Sequence, residues 1–209
     1  MNLKKFFALV MTPIFALSIL AIAPSANAED EALGLNPLTE VLNVAEFGFD
    51  TTGTDFDILT ALVLDVMGQR PNSAVGALAD GNVALTAFIP TDNAFRKLVT
   101  ALTGVRYAKE EKVYNAIYGL GIKTVEKVLL YHVVVGAPIL SEAAVAASGA
   151  FLTTAEGSTI RVAFDGTVLR LRDKDKSRVN PNVILTRVDI NERNNQVAHP
   201  INGVLLPKL

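Results

Sequence analysis

The segment Leu85-Thr86-Ala87-Phe88-Ile89-Pro90-Thr91-Asp92-Asn93-Ala94-Phe95 carries the clearest structural signal in this chain of 209 residues. Alternate side chains of an extended segment point to opposite faces, and apolar residues occur here on both faces. We therefore expect a strand that is covered on both sides. Pro90 ends this strand, since proline has no backbone N–H to donate to a neighbouring strand.

A helix is predicted directly after the strand. Its apolar residues recur at helical spacing, at Phe95, Leu98, Val99 and Leu102. Thr91 or Asp92 is expected to cap the free N–H groups at the start of the helix, and Gly104 is expected to end it. The helix should therefore pack against the strand from which it emerges.

Two later segments complete a pattern that resembles a known family. They are Leu129-Leu130-Tyr131-His132-Val133-Val134-Val135-Gly136 and Asn195-Gln196-Val197-Ala198-His199-Pro200-Ile201-Asn202-Gly203-Val204-Leu205-Leu206-Pro207. Together with the strand and helix above, they resemble the central Tyr-His motif and the two signatures of the fasciclin domain. Residues 152–160 resemble the strand, glycine turn and strand that follow this motif in the family. The resemblance covers residues 38–207.

This resemblance implies an extracytoplasmic adhesion or matrix-interaction module that has neither catalytic machinery nor a cofactor. It assigns a structural role to eight signature residues, which are Thr91, Asp92, Phe95, Tyr131, His132, Gly136, His199 and Pro207. The chain also departs from the family pattern: Gln196 stands where glycine is usual, and Pro200 and Asn202 replace valine and aspartate. Because proline removes a ladder hydrogen bond, we expect the strand around Pro200 to be an edge strand or bulged.

The first 28 residues are typical of a cleaved secretory signal peptide. Lys4 and Lys5 precede an apolar run, and Ala26-Asn27-Ala28 offers a small-residue cleavage site. A retained membrane anchor is the alternative, since the run almost suffices to span a bilayer. After cleavage, no membrane span is expected, and we predict a secreted or periplasmic protein with a lead-in over residues 29–37 and one domain over 38–209. The lack of an Asn-x-Ser/Thr sequon fits a bacterial secreted protein.

Charge and composition exclude some classes of function. The formal charge is -2, with 19 basic and 21 acidic residues, and removal of two lysines would make it -4. A mildly acidic chain without a basic cluster does not predict a nucleic-acid partner. Bases and acids alternate over residues 170–178, which favours a solvated strand edge, with a contact to anionic polysaccharide as the alternative. The absence of cysteine excludes disulfides and thiolate chemistry.

Helical patterns dominate the first half of the chain and strand patterns the second. This order predicts an α+β fold in which helices pack on a mostly antiparallel, wedge-shaped sheet or sandwich. The expected helices include 55–67, capped by Thr54 and Asp57 and ended by Gly68, and the Tyr-His helix over 125–136. Residues 69–82 are expected to be mostly loop, and 183–190 and 197–206 to be the closing strands.

Catalytic and metal sites are not predicted. The two histidines, His132 and His199, lie inside the structural signatures, and a histidine on an apolar helix is usually a core residue. Neither histidine has an acidic residue at short helical spacing, so a metal site is not expected. No serine elbow or phosphate loop occurs. We therefore expect a protein that is not an enzyme.

Two groups of residues are candidates for an adhesive surface. Three of the four tyrosines, Tyr107, Tyr114 and Tyr118, lie in a segment outside the shared family core. The alternative is that these rings pack an extra helix, predicted in this segment over residues 105–124, against the body of the domain. Asp189 and Ile190 precede the second signature, where some animal fasciclin proteins carry an integrin-binding Asp-Ile pair; a simple turn acceptor is the alternative for Asp189.

The leading functional prediction is therefore a non-enzymatic protein that mediates cell adhesion. Its partner would be a cell-envelope or extracellular-matrix component, a protein or a polysaccharide, or a second copy of the chain. The alternative is a soluble carrier that binds a lipid or small metabolite in an apolar pocket between the helices and the sheet.

Overall fold

The computed structural model describes residues 32–42 and 48–208. The predicted signal peptide over 1–28 therefore lies outside the described residues. Val44 and Phe47 do so too; their spacing after Val41 and Leu42 predicts a first helix that continues through them. The chain divides into two units, Met1–Ala32 and Leu33–Leu209, and every helix and strand described here belongs to the second. Within the described ranges, no helix combines the length and the apolar character needed to cross a membrane.

The second unit contains helices and strands in an irregular order along the chain. The described α-helices are α1 Leu38–Val41, α2 Asp57–Gln69, α3 Asp92–Thr103, α4 Glu110–Tyr118, α5 Ile122–Tyr131 and α6 Ser141–Ala146. The described strands are β1 Leu85–Pro90, β2 Val133–Val135, β3 Phe151–Thr153, β4 Thr159–Phe164, β5 Leu169–Arg172 and β6 Gln196–Ile201. Short 3-10 helices span Ala74–Ala79 and Leu185–Arg187.

The strands form two sheets of three strands each. In the first sheet the order is β2-β1-β6, with β1 antiparallel to β2 and parallel to β6. In the second sheet the order is β3-β4-β5, and both pairings are antiparallel. The prediction of an α+β fold with mostly antiparallel strands is confirmed.

The first sheet lies between helices α1 to α5 and the second sheet, whereas α6 packs with the second sheet. Leu85, Ala87 and Ile89 of β1 pack with apolar residues of α1 to α5 in one core. Phe88, on the opposite face of β1, packs with Ile160 and other residues of β4 and β5 in a second core. Every residue of β1 is buried, as expected from apolar side chains on both faces of the segment.

The junction after β1 forms as predicted, but the cap does not. Helix α3 ends at Gly104, whose φ of 73° lies in the left-handed region that favours glycine. Thr91 precedes α3 and its side chain makes no capping bond. The carboxylate of Asp92 caps α2 instead, accepting hydrogen bonds from the N–H of Asp57 at 3.1 Å and of Ile58 at 2.9 Å.

Several predicted boundaries were wrong. Helix α2 begins at Asp57 without the expected Thr54 capping box and continues past Gly68. The 3-10 helix Ala74–Ala79 occupies part of the predicted loop. The Tyr-His helix ends at Tyr131, because the valines that follow form β2.

The closing region also differs from the prediction. Residues 183–190 contain the 3-10 helix Leu185–Arg187 rather than a continuous strand, and the last strand ends at Ile201 rather than Leu206. The expectation for Pro200 is confirmed, since β6 lies at the edge of its sheet, where a missing N–H is tolerated.

Candidate functional site

His132 follows the last residue of α5 and is 5% exposed. Its Nδ1 lies 2.7 Å from the carbonyl oxygen of Val128, and its Nε2 accepts a hydrogen bond from the N–H of Leu205 at 2.9 Å. A carbonyl only accepts, so Nδ1 carries the proton and the ring is neutral. Burial lowers the pKa of His132 to about 4. With both ring nitrogens occupied, His132 is a structural link between α5 and the C-terminal segment.

Tyr131, the neighbour of His132, is fully buried in the core between the two sheets. Its hydroxyl donates to the carbonyl oxygen of Thr159, the first residue of β4, at 3.1 Å. Burial raises the pKa of Tyr131 to about 12, so the phenol remains protonated. The Tyr-His pair therefore connects α5 to two different parts of the chain.

His199 lies in β6 and is also buried. Its Nε2 lies 2.8 Å from the carbonyl oxygen of Ile139, and its Nδ1 accepts from the N–H of Asp189 at 3.3 Å. Burial lowers the pKa of His199 as well. The hydroxyl of Ser141 donates to the carboxylate of Asp189 and not to this imidazole. Ser141 therefore has no hydrogen bond to His199 that would allow the imidazole to activate it as a nucleophile.

Asp189, a candidate adhesive residue, has a φ of 58° and is partly buried. Its carboxylate accepts hydrogen bonds from the N–H of Ser141, at 2.7 Å, and from the hydroxyl of the same residue. Because Ser141 is the first residue of α6, Asp189 caps that helix from a distant part of the chain. Ile190 forms a bridge with Ala198 of β6. The adhesive role of Asp189 and Ile190 remains a prediction.

The three candidate tyrosines lie on or before α4, and all are partly buried against the core. Tyr114 donates to the carboxylate of Asp65, and Tyr118 accepts a hydrogen bond from the side-chain amide of Gln69 at 2.9 Å. The rings of Tyr114 and Tyr118 stack with their centroids 5.7 Å apart. These contacts fasten α4 to α2, which supports the interpretation that the rings cover the extra helix.

Three acidic side chains converge where α2, α3 and α4 meet. Oxygen atoms of Asp55, Asp92 and Glu110 lie within 4.8 Å of one another, and carboxylate oxygens are the ligands that hard cations prefer. Glu110 is already paired with Arg96 at 2.9 Å. Burial, and a hydrogen bond with Asp55, raise the pKa of Asp92. The helix cap and the ion pair with Arg96 therefore engage two of the three carboxyl groups, those of Asp92 and Glu110.

A cavity of about 790 Å³ lies among the helices and the C-terminal segment. Its wall is formed by α3, α4 and α5 together with residues around 174–178 and 204–208. The apolar residues that line it are Leu62, Pro90, Phe95, Leu98, Leu102, Ile117, Leu120, Val125, Val128, Leu129, Val204, Leu206 and Pro207. Leu102 and Leu120 are 47% and 49% exposed, so the cavity reaches the surface between α3 and α4.

The comparison with protein families decides the identity of this fold. The sequence profile of the fasciclin domain matches residues 69–207, which is about two thirds of the chain. The chain belongs to the fasciclin-domain family. The expectation drawn from its three signature segments is confirmed.

Among solved structures, this fasciclin-domain protein is similar to a FAS1 domain pair from the insect cell adhesion molecule Fasciclin I. The TM-score is 0.53 and the sequence identity is 17%, so the similarity shows the fold alone. The match covers 84% of this chain and 51% of that one, so the chain spans about half the length of the insect pair. A comparison with curated proteins by sequence found no match.

The fold brings the fasciclin signatures together in the first sheet. β1 and β6 pair in parallel, with Phe88 opposite His199, and the carbonyl of His132 accepts a hydrogen bond from the N–H of Phe88 at 2.9 Å. Gly136 directly follows β2 with a φ of 123°. Pro207 lies in the wall of the cavity. The tyrosines and Asp189, by contrast, fall into separate groups beside α4 and α6.

Gln196 is a structural residue whose role the sequence does not reveal. It stands where the fasciclin pattern usually has glycine, and its side chain is fully buried in β6. Its Oε1 accepts from the N–H of Leu38 at 2.8 Å, and its Nε2 donates to the carbonyls of Ala77 and Asp80, both at 2.8 Å. This amide therefore ties α1 and the 3-10 helix to the first sheet.

Proposed function

We propose that this fasciclin-domain protein is an exported, non-enzymatic adhesion module. Its partner would be a cell-envelope or extracellular-matrix component, a protein or polysaccharide, or a second copy of the chain. The observation that carries the proposal is the match of the fasciclin domain to residues 69–207. The fold it shares with an insect cell adhesion molecule supports the same function.

The geometry of the two histidines supports a role without catalysis. Each ring is buried and neutral, and both nitrogens of each ring are engaged with backbone groups. A general base needs a free lone pair within reach of a substrate proton. Export is supported by the pattern of residues 1–28, with cleavage proposed after Ala28. Mass spectrometry of protein recovered from outside the cytoplasm would test the cleavage.

Binding to the cells and extracellular matrix of the source organism tests the adhesion function. Labelled protein, purified after expression of the full chain, should bind saturably, and a salt series would separate charged contacts from apolar ones. An unrelated acidic protein of similar size serves as the control. Binding no stronger than that control would contradict the adhesion function.

The cavity supports a second candidate function, that of a carrier for a lipid or small metabolite. Its volume of about 790 Å³ falls within the range of about 300–1,000 Å³ that is typical of small-molecule sites. Organic extraction of the purified protein, followed by mass spectrometry, should release a ligand. The double variant Leu102→Trp/Leu120→Trp should reduce its recovery, because both side chains lie at the mouth of the cavity and their enlargement would narrow it. Equal recovery from both proteins would contradict the carrier function.

A further inference from the structure

The charges around the cavity differ from those of the chain as a whole. Its lining contains the cationic residues Lys123, Lys127, Lys174, Arg178 and Lys208 and a single acidic residue, Asp175. The complete chain carries a formal charge of -2. A net positive rim on a mildly acidic protein attracts anions to this one opening.

Two of these lysines and the backbone of a third come together at one side of the opening. Lys123 and Lys127 are four residues apart on α5, so they lie on the same face of that helix. The ammonium group of Lys127 donates to the carbonyl oxygen of Lys208 at 2.8 Å, which places the C-terminal segment beside them. Like charges at this spacing destabilise a helix slightly, and a bound anion would remove that repulsion.

The protein itself neutralises only part of this charge. Arg178 is paired with Asp175 at 3.0 Å, and Lys127 lies 3.8 Å from Glu156. Within residues 32–42 and 48–208, Lys123, Lys174 and Lys208 have no ion-pair partner, although Lys174 donates a hydrogen bond to the hydroxyl of Thr159 at 3.2 Å. Three cationic groups without an ion-pair partner are therefore available to a ligand at the edge of the cavity.

The interior of the cavity has the opposite character. Its floor consists of buried side chains such as Phe95, Leu98 and Leu129, and Leu102 and Leu120 are exposed at its mouth. A ligand that matches both parts must combine an apolar chain with a negatively charged end. Burial of each CH₂ group of such a chain contributes about 0.8 kcal/mol.

We propose that the cavity binds a single-chain anionic amphiphile of the fatty-acid class. The hydrocarbon chain lies against the apolar floor, and the carboxylate lies at the rim beside Lys123 and Lys208. This inference rests on the carrier function proposed above for the same cavity. It adds the chemical class of the ligand and the residues that select it.

Calorimetric titration with three ligands of equal chain length tests the proposal. Dodecanoate should bind about tenfold more tightly than neutral 1-dodecanol, and dodecyltrimethylammonium should bind more weakly than both. The preference for dodecanoate should shrink as salt is added, since the lysines are at the surface. Vesicles that contain phosphatidylglycerol should not bind, because the proposed ligand is a single free chain.

Two charge-reversal variants distinguish the effect of the rim lysines on binding from the effect of the overall charge of the protein. Lys123→Glu/Lys208→Glu should weaken dodecanoate binding about tenfold and leave dodecanol binding unchanged. Lys112→Glu makes the same kind of change on the exposed side of α4, outside the cavity lining, and should leave both affinities unchanged. Melting curves of all variants would confirm that each is folded.

The outcomes distinguish this inference from the carrier function on which it rests. Failure of all three ligands to bind would overturn both. Equal affinity for dodecanoate and dodecanol would overturn the anionic ligand class and leave the carrier function standing. A dodecanoate preference that survives Lys123→Glu/Lys208→Glu, or that is lost equally in Lys112→Glu, would overturn the assignment of the rim. Binding to the vesicles in preference to dodecanoate would overturn the choice of a free fatty acid.

Discussion

His132 satisfies two backbone groups that are 77 residues apart, the carbonyl of Val128 and the N–H of Leu205. Leu205 is fully buried, so water cannot replace the imidazole as an acceptor for its N–H. An unsatisfied buried donor costs more free energy than a normal hydrogen bond contributes. The contribution of His132 is therefore to folding rather than to recognition.

We predict that His132→Ala lowers the free energy of unfolding by about 2–4 kcal/mol, through the unpaired N–H of Leu205 and the lost volume of the ring. Urea denaturation would measure this loss. Binding to cells or matrix, tested well below the melting temperature, should be unchanged. A variant with normal melting and lost adhesion would contradict this structural role.

The sequence allows some of these residue roles to be predicted and conceals others. Tyr131 and His132 lie in an apolar helix pattern, so a buried location could be expected from the sequence alone. Gln196 gives no such signal, because the four backbone partners of its side chain come from segments more than 110 residues away. The capping of α6 by Asp189 also has no signal in the sequence, because Ser141 is 48 residues away along the chain.

At the scale of elements, α2 depends on a residue that belongs to another helix. Asp92, the first residue of α3, uses both carboxylate oxygens to cap the N-terminus of α2. We predict that Asp92→Ala lowers the free energy of unfolding by about 1–2 kcal/mol, the usual cost of a lost cap. Chemical denaturation would measure the change.

Thr91→Val is the matched control for this cap. Thr91 is the residue just before α3, but its side chain makes no capping bond. Replacement by valine keeps the shape and should change the free energy of unfolding by less than about 0.5 kcal/mol. A larger loss in Thr91→Val than in Asp92→Ala would show that the threonine is the important cap.

Gln196 joins three elements, since its amide bonds to backbone groups of α1 and of the Ala74–Ala79 segment from within β6. We predict that Gln196→Ala costs about 2–4 kcal/mol of unfolding free energy, because several buried polar groups lose their partners together. Gln196→Glu should cost at least as much at neutral pH. A carboxylate cannot donate, and it would face the carbonyl oxygens of Ala77, Asp80 and Val83 in a buried site. A milder effect of Gln196→Glu, measured by urea denaturation, would contradict this account.

Local sequence signals predict the elements themselves better than their ends. The β1–α3 junction forms where its proline and apolar spacing place it. The run Val133–Val135 was predicted as helix, although consecutive β-branched residues favour a strand, and a strand forms there. The sequence predicted that Thr54 and Asp57, which lie beside the start of α2, would cap it. A cap supplied by Asp92 of α3 leaves no signal in the sequence around α2.

For the whole molecule, buried ionisable groups link stability to pH. The pKa of His132 is about 4 in the folded protein and near 6.5 in the unfolded chain. The unfolded chain therefore binds more protons, and the contribution of His132 to stability is lost as the pH falls from about 6.5 to about 4. The slope is at most about 1.4 kcal/mol per pH unit for one group.

The variant His132→Gln isolates this effect. The raised pKa of Asp92 acts in the opposite direction, because its contribution is present at low pH and is lost as the pH rises. Asp92 is present in both the natural protein and His132→Gln, so its pH dependence cancels when the unfolding free energies of the two proteins are subtracted. We predict that this difference is largest near neutral pH and shrinks towards pH 4. A constant difference across this range would contradict a neutral buried imidazole.

The cavity is a property of the whole molecule and has no signature in the sequence. Its wall combines α3, α4 and α5 with the end of the chain, so its lining residues are spread from Leu62 to Lys208. The overall charge of -2 also conceals the cationic rim, because the charge averages over all faces. The fold class was predictable from the order of helical and strand patterns, whereas this juxtaposition required tertiary structure.

The parallel pairing of β1 with β6 constrains the order in which the protein can fold. Leu85 pairs with Gln196, a partner 111 residues later in the chain. During synthesis from the N-terminus, β1 therefore exposes an open edge until nearly the whole domain has emerged. Closing so long a loop before any pairing energy is gained makes folding slow. In a nascent chain of this protein, the first sheet stays incomplete until β6 is made, and the unpaired edge of β1 can meanwhile pair with strands of other chains.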